Sequence, residues 1–186
     1  MKTSFDFDRA LHEVTVQSAG GAPFLIAYGV TFLMTGVLSF FLPRETTALI
    51  AMFQGSAALP VAFWLEGKMG WGKMSADNPL KVFSGQLAMS QAFAIPALIV
   101  AYSLNPGSIP VILAGLGGVH FFPYAWLHRT RIYAVLAGAL ALGGFALQVL
   151  LQANAFSVIL LMIGVVYEVS AWLVYRHAVG LVQGKV

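Results

Sequence analysis

Apolar residues along this chain come in long unbroken blocks rather than in strict alternation or in a narrow helical stripe. Blocks of spanning length cover 22–42, 46–65, 80–104, 108–127, 132–152 and 156–175, and a stretch of about 20 such residues is what one membrane crossing needs. Helices apolar on every side have no face to offer water, so lipid or a buried interior must surround them. Each block is bounded by punctuation. Pro43-Arg44-Glu45-Thr46 makes a tight link, 66–79 is a longer loop containing Gly and Lys, and Asn105-Pro106-Gly107 is a strong turn. The short segments 128–131 and 152–155 close the remaining gaps. The pattern predicts an all-α polytopic membrane helix bundle with six transmembrane helices, a leading segment over 1–21, the bundle over 22–176 and a short tail over 177–186.

Composition removes the soluble alternative. Of 186 residues, 59% are hydrophobic and 9% charged, with mean hydropathy +0.83, which leaves too little polar surface to cover a globule in water. Cys is absent, which excludes disulfides, thiolate metal sites, iron–sulfur clusters and cysteine nucleophiles. The pI of about 9.3 does not mark a nucleic-acid binder, because the Lys and Arg residues are dispersed over several connections and form no patch.

Their distribution reports topology instead. With six spans alternating in direction, Lys2, Arg9, Lys68, Lys73, Lys81, Arg129, Arg131, Arg176 and Lys185 fall on one side and Arg44 alone on the other. That asymmetry over short loops places the basic side, with both termini, in the cytoplasm of a multi-pass cell-membrane protein. An odd number of spans would destroy the separation. The first twenty residues do not read as a signal peptide, because Asp6, Asp8 and Glu13 interrupt them. Phe7, Leu11 and Val14 recur at helical spacing and predict a short amphipathic helix on the cytoplasmic surface. A short echo, Pro60-Val61-Ala62-Phe63-Trp64-Leu65 against Pro123-Tyr124-Ala125-Trp126-Leu127, raises a repeated helical hairpin, although the preference of Trp for membrane interfaces explains it equally well.

Gly20-Gly21-Ala22-Pro23-Phe24, Asn78-Pro79-Leu80 and His120-Phe121-Phe122-Pro123-Tyr124-Ala125-Trp126-Leu127 together resemble an uncharacterised bacterial family of small multi-spanning membrane proteins. The likeness runs in order through most of the first five spans. It implies a single bundle and carries no assigned activity.

Chemistry must therefore be sought among polar groups at membrane depth, which are costly and face protein, water or a partner. His120 lies about seven residues from the cytoplasmic end of the fourth span and Glu168 about eight from that end of the sixth. A rise of 1.5 Å per residue puts both roughly 10 to 12 Å inside the boundary, where they could pair. Gln86, Ser90 and Gln91 lie in the cytoplasmic half of the third span and could join the layer. Pro123 frees the carbonyl of Val119 beside His120. Trp172, one turn beyond Glu168, completes a candidate pocket wall. The expected site for a substrate or proton is thus His120, Glu168, Gln86, Ser90, Gln91 and Trp172, serving a small solute or ion. The competing reading is a hydrogen bond that only ties spans four and six together.

Blander readings suffice elsewhere. Gln54 reads as interhelical glue. Ala114 with Gly118, and Ala139 with Gly143, are small-residue pairs suited to packing inside the bundle or to a homodimer. The remaining Trp residues, with Tyr102, Tyr133 and Tyr175, fall near span ends as an aromatic belt does. No Gly-x-Ser-x-Gly, His-Glu-x-x-His, P-loop or Gly-x-Gly-x-x-Gly motif is present, and no Lys lies deep in a span to carry a retinal Schiff base. Haem ligation would have to draw on His128, His177 or His120, whose spacing does not single it out. The expected cofactors and metals are none, and the expected partner is the bilayer. A transporter or channel, a membrane-embedded enzyme or cofactor protein, and an accessory subunit remain as function classes.

Overall fold

A computed structural model describes residues 6–184, and among these every regular element is helical. Lys2 and Lys185, counted above on the basic side, lie outside the described residues. The helices are α1 (Phe7–Gln17), α2 (Ala22–Leu38), α3 (Arg44–Phe53), α4 (Gly55–Met69), α5 (Pro79–Ser90), α6 (Ile95–Leu104), α7 (Ile109–Leu127), α8 (Ile132–Leu151) and α9 (Ala155–Val182). Five continuous helical stretches are long and apolar enough to cross a membrane. The last of them, Ile132–Val182, is two helices, because Gln152 leaves the helical region (φ 48°, ψ −112°) and α9 turns back to pack along α8. The bundle therefore has six apolar segments, at the six places the hydrophobic blocks predict.

Two of the six are interrupted. The second is α3 followed by α4, broken at Gln54. The third passes from α5 through a 3-10 turn, Gln91–Ala94, into α6; Pro96, in the first turn of α6, has no N–H to give the carbonyl of Ala92, so the α-ladder stops short of it. By contrast α4 and α7 run through Pro60 and Pro123 without a break. The sixth segment continues as α9 to Val182, beyond the end expected at 175, and takes up most of the supposed tail.

The core forms where α2 lies against α9 and α4, α7 against α8, and α8 against α9. Leu25, Leu136, Leu140, Ile159, Leu160 and Ile163 are sealed within it. Small residues set the helix separation. A Cβ on Gly164 would stand 2.9 Å from the backbone nitrogen of Leu33, and one on Gly118 would stand 2.8 Å from the Ala137 carbonyl. Ala114 likewise abuts Gly144, so the Ala114/Gly118 pair packs α7 on α8 inside the bundle. The third segment is different: only 6% of its most apolar window is buried, against at least 28% for every other.

The α1 helix closes one end. Asp6 caps it by accepting from Arg9 N at 3.0 Å. Ala10, Leu11, Val14 and Thr15 form its buried face, packed with Leu80 and Leu127 in a small satellite core. Phe7, assigned from sequence to the apolar face, is 42% exposed and meets the Trp126 ring at 5.6 Å. α1 therefore docks on protein along much of its apolar face. Because α1 meets both the end of α7 and α9, the described ends of the chain share one side of the bundle. The link to α2 is Ala19-Gly20-Gly21, all at positive φ. A Cβ on Gly20 would stand 2.7 Å from the Val174 carbonyl, so a bare backbone is needed where this link crosses α9.

Candidate functional site

Two polar zones stand out, one in the middle of the bundle and one beneath α1. In the middle zone Glu168 is half-buried on α9. Its carboxylate lies over Gly29 of α2, where a Cβ would collide with Oε1 and stand 3.0 Å from Cδ. Oε1 is buried without a hydrogen-bond partner among the described residues. His120, half-buried on α7, stacks edge-on with Phe121 and lies 5.3 Å from the Tyr124 ring, and its Nδ1 is likewise buried and unpartnered.

No hydrogen bond joins His120 to Glu168 in the structure. The route from one to the other passes through aromatic rings. Phe121 meets Tyr167 at 5.3 Å, and the Tyr167 hydroxyl lies 3.2 Å from where a Gly117 Cβ would be. Both predicted residues thus belong to the Tyr167 level, but Glu168 is turned toward α2.

Other expected members lie elsewhere. Gln86, Ser90 and Gln91 are exposed on the third segment, and the Ser90 hydroxyl donates to the Leu87 carbonyl at 2.6 Å. Trp172 is 57% exposed and carries the Arg176 guanidinium over its ring at 5.0 Å.

Two further residues complete the middle zone: Gln54, which the sequence assigns only to interhelical packing, and Tyr28, which it does not single out. Gln54, at the break between α3 and α4, is buried, and neither Oε1 nor Nε2 has a partner among the described residues. Tyr28 lies beside it: a Cβ on the neighbouring Gly55 would be 2.9 Å from the Tyr28 hydroxyl. Tyr28 also packs on the core cluster that contains Tyr167. A helix break at a Gln flanked by Gly, inside an apolar block, is the signal that could have found this pair. The resulting layer is Tyr28, Gln54, His120, Tyr167 and Glu168, drawn from four segments.

The second zone lies under α1. His128, just past α7, is 2% exposed. It stacks between Tyr124 and Tyr133, at 5.9 and 5.2 Å, and its Nδ1 is 3.3 Å from Thr15 Oγ1. Burial pushes its imidazole down to about 3, and the neighbouring His177 acts in the same direction. The Tyr133 hydroxyl donates to the Gly20 carbonyl at 2.5 Å, so this buried tyrosine is a lock rather than part of an aromatic belt.

Glu13 fastens the 70–78 loop. It accepts from Ser75 N at 2.8 Å, from the Ser75 hydroxyl, and from Asn78 Nδ2 at 2.7 Å. These bonds, the Ser75 hydroxyl first, hold its carboxyl down at about 2 against the opposing effect of burial. Asn78 also donates to the Ala10 carbonyl and caps α5 through Leu80 N. A cavity of about 220 Å³ remains between α1, the end of α7 and α9, lined by His12, His128, His177 and the exposed Asp8–Arg129 ion pair. No cluster of three metal-ligating side chains occurs among the described residues.

Fold and polar layers together define a small polytopic helix-bundle membrane protein. The chain belongs to a family of unknown function (DUF7010), whose model matches residues 7–177. No curated protein and no solved structure matches the chain.

Proposed function

We propose that this protein provides a membrane pathway for a small solute or ion, with Glu168 as the group that exchanges a proton along it. The observation that carries the reading is the set of orphaned polar atoms at one level of the bundle: Glu168 Oε1, His120 Nδ1, and both Gln54 Oε1 and Nε2. A buried polar atom without a partner costs about 1–3 kcal/mol. Several in one layer make sense when a passing solute or water supplies the missing bonds. The break at Gln54 supports this, since irregular backbone at membrane depth is tolerated where it lines a cavity or lies within protein. The charge asymmetry, with Arg44 alone opposite the other basic residues, supports an orientation in which the α1 end faces the cytoplasm of a cell membrane.

The reading requires water at the layer. The natural chain has no Cys, so a single introduced thiol reports access cleanly. In reconstituted vesicles, Gln54→Cys and Glu168→Cys should react with a small charged methanethiosulfonate. Leu142→Cys, on an exposed apolar position of α8, should not. A layer as unreactive as the Leu142 control would overturn the proposal.

A further inference from the structure

At the end of the bundle opposite α1, the turn leaving α2, the start of α3 and the turn between α8 and α9 border a cavity of about 440 Å³, within the roughly 300–1,000 Å³ of small-molecule sites. Arg44, the lone Lys or Arg in the links at this end, stands in its wall. The guanidinium is already oriented. Its Nη2 donates to the Ala153 carbonyl at 3.1 Å, and the group lies 5.5 Å from the centre of the buried Phe156 ring. A guanidinium carries five N–H donors, so this one bond leaves most of them to spare. Arg44 has no carboxylate partner among the described residues, and the adjacent Glu45 does not line the cavity.

Asn154 and Ser157 also line it. The Asn154 side chain gives no cap to α9, and the Ser157 hydroxyl makes no hydrogen bond among the described residues, so both can donate to a ligand. The Ser39 hydroxyl cannot, since it already donates to the Gly36 carbonyl at 2.5 Å. Phe40 and Val158 supply apolar lining, and Phe40 continues an exposed run of Val37, Leu38 and Phe41, surface that acyl chains would cover. The 17 residues of α2 span roughly 25 Å, close to a hydrocarbon thickness of about 30 Å, so the turn that follows reaches headgroup depth. We infer that this cavity holds the phosphate of an anionic phospholipid, anchored by the Arg44 guanidinium with Asn154 and Ser157 as further donors. The planar fork of a guanidinium matches two phosphate oxygens. A lipid is favoured over a free anion because the donors adjoin apolar surface. A net-negative headgroup is favoured over a zwitterionic one because no Asp or Glu lines the cavity to receive a cationic tip.

Native mass spectrometry of the full chain in detergent, titrated with phosphatidylglycerol or with phosphatidylcholine of the same acyl chains, reads the two affinities. Phosphatidylglycerol should bind about tenfold more tightly, which corresponds to about 1.4 kcal/mol, the scale of one hydrogen bond to a charged group. Arg44→Gln should bring the ratio near unity, while Lys68→Gln, which removes an exposed charge at the other end, should leave it unchanged. Ser157→Leu keeps Arg44 and fills the cavity; it should also erase the preference, and it decides the matter if Arg44→Gln does not fold. Millimolar inorganic phosphate should not displace the lipid. Equal binding of the two lipids by the wild type, a preference that survives Arg44→Gln or Ser157→Leu, or one that Lys68→Gln erases equally would overturn the inference. Displacement by inorganic phosphate that depends on Arg44 would make this a site for a free anion and overturn the lipid assignment.

Discussion

Lowering the pH from about 7.5 to about 5 should loosen α1 from the bundle through one residue, His128. Its ring is enclosed by Tyr124 and Tyr133 and covered by Thr15 of α1, and the docked state holds its pKa near 3. When α1 lifts and the ring meets water, the value returns toward the ordinary 6.5. The docked form therefore binds fewer protons. Its stability is fully present above pH 6.5 and is lost progressively as pH falls toward 3. At about 1.4 kcal/mol per unit, the loss by pH 5 is about 2 kcal/mol, or roughly a thirtyfold shift toward the undocked form. The groups facing the ring zone are Asp8, His12, Arg129 and His177, and a charge on His177 would act in the same sense. Glu13 does not confuse the window, since its own stabilisation fades only between 4.5 and about 2. Hydrogen exchange of the α1 amides, corrected for intrinsic rates, measures this opening. Protection should fall about thirtyfold in the wild type and stay nearly flat in His128→Gln. Equal losses in both proteins, or none in either, would refute the burial argument.

Two further outcomes are expected. Tyr133→Phe leaves the Gly20 carbonyl without its donor in a buried site, so it should cost about 1–3 kcal/mol in a detergent melt. An unchanged midpoint would show that the hydroxyl is not a lock. Gly29→Ala drives a methyl into the Glu168 carboxylate and should cost about 1–3 kcal/mol by overpacking, whereas the same change made in a Glu168→Ala background should cost markedly less. Strict additivity of the two would refute the contact.

The spans were legible because their blocks are apolar on all sides, and Pro43 and Asn105-Pro106 mark where helix must stop. That same uniformity hides direction. A helix without a polar stripe does not reveal which face meets its neighbours, and so Gln86 and Ser90, one turn apart, could be grouped with His120 although they point outward. Depth along an axis was recoverable from residue counts, which is why His120 and Glu168 do share a level, but azimuth was not. The continuation of α9 past Arg176 escaped notice because charge at that point resembles an end. There Ala178 is fully buried and α1 packs on the helix, a contact between distant parts of the sequence. In sequence His128 has the look of a loop residue and Tyr133 of a belt residue for the same reason: only the return of α1 over them makes them interior.

The two polar zones differ in how completely their bonds are made, and that difference bears on function. Gly20 and Gly21 meet Val174 and Tyr133, Asn78 ties α5 to α1, and Tyr124 stacks on His128. The residues through which the chain resembles its family thus converge on the end beneath α1, where most of the hydrogen bonds are made and Gln17 Oε1 and His177 Nε2 are the buried atoms without a partner among the described residues. In the middle of the bundle the balance reverses. His120 is the one member of those motifs with an orphaned atom, and it shares its level with Glu168, near a break in a neighbouring segment at Gln54. Each unmet bond there is free energy that a ligand, a water or a proton can recover, while the closed end keeps the helices in register. An equilibrium is biased most easily where partners are missing and scaffold is firm, and the proposed pathway accordingly puts its proton exchange at the Gln54–Glu168 level, where unpartnered buried atoms are more numerous than at the α1 end.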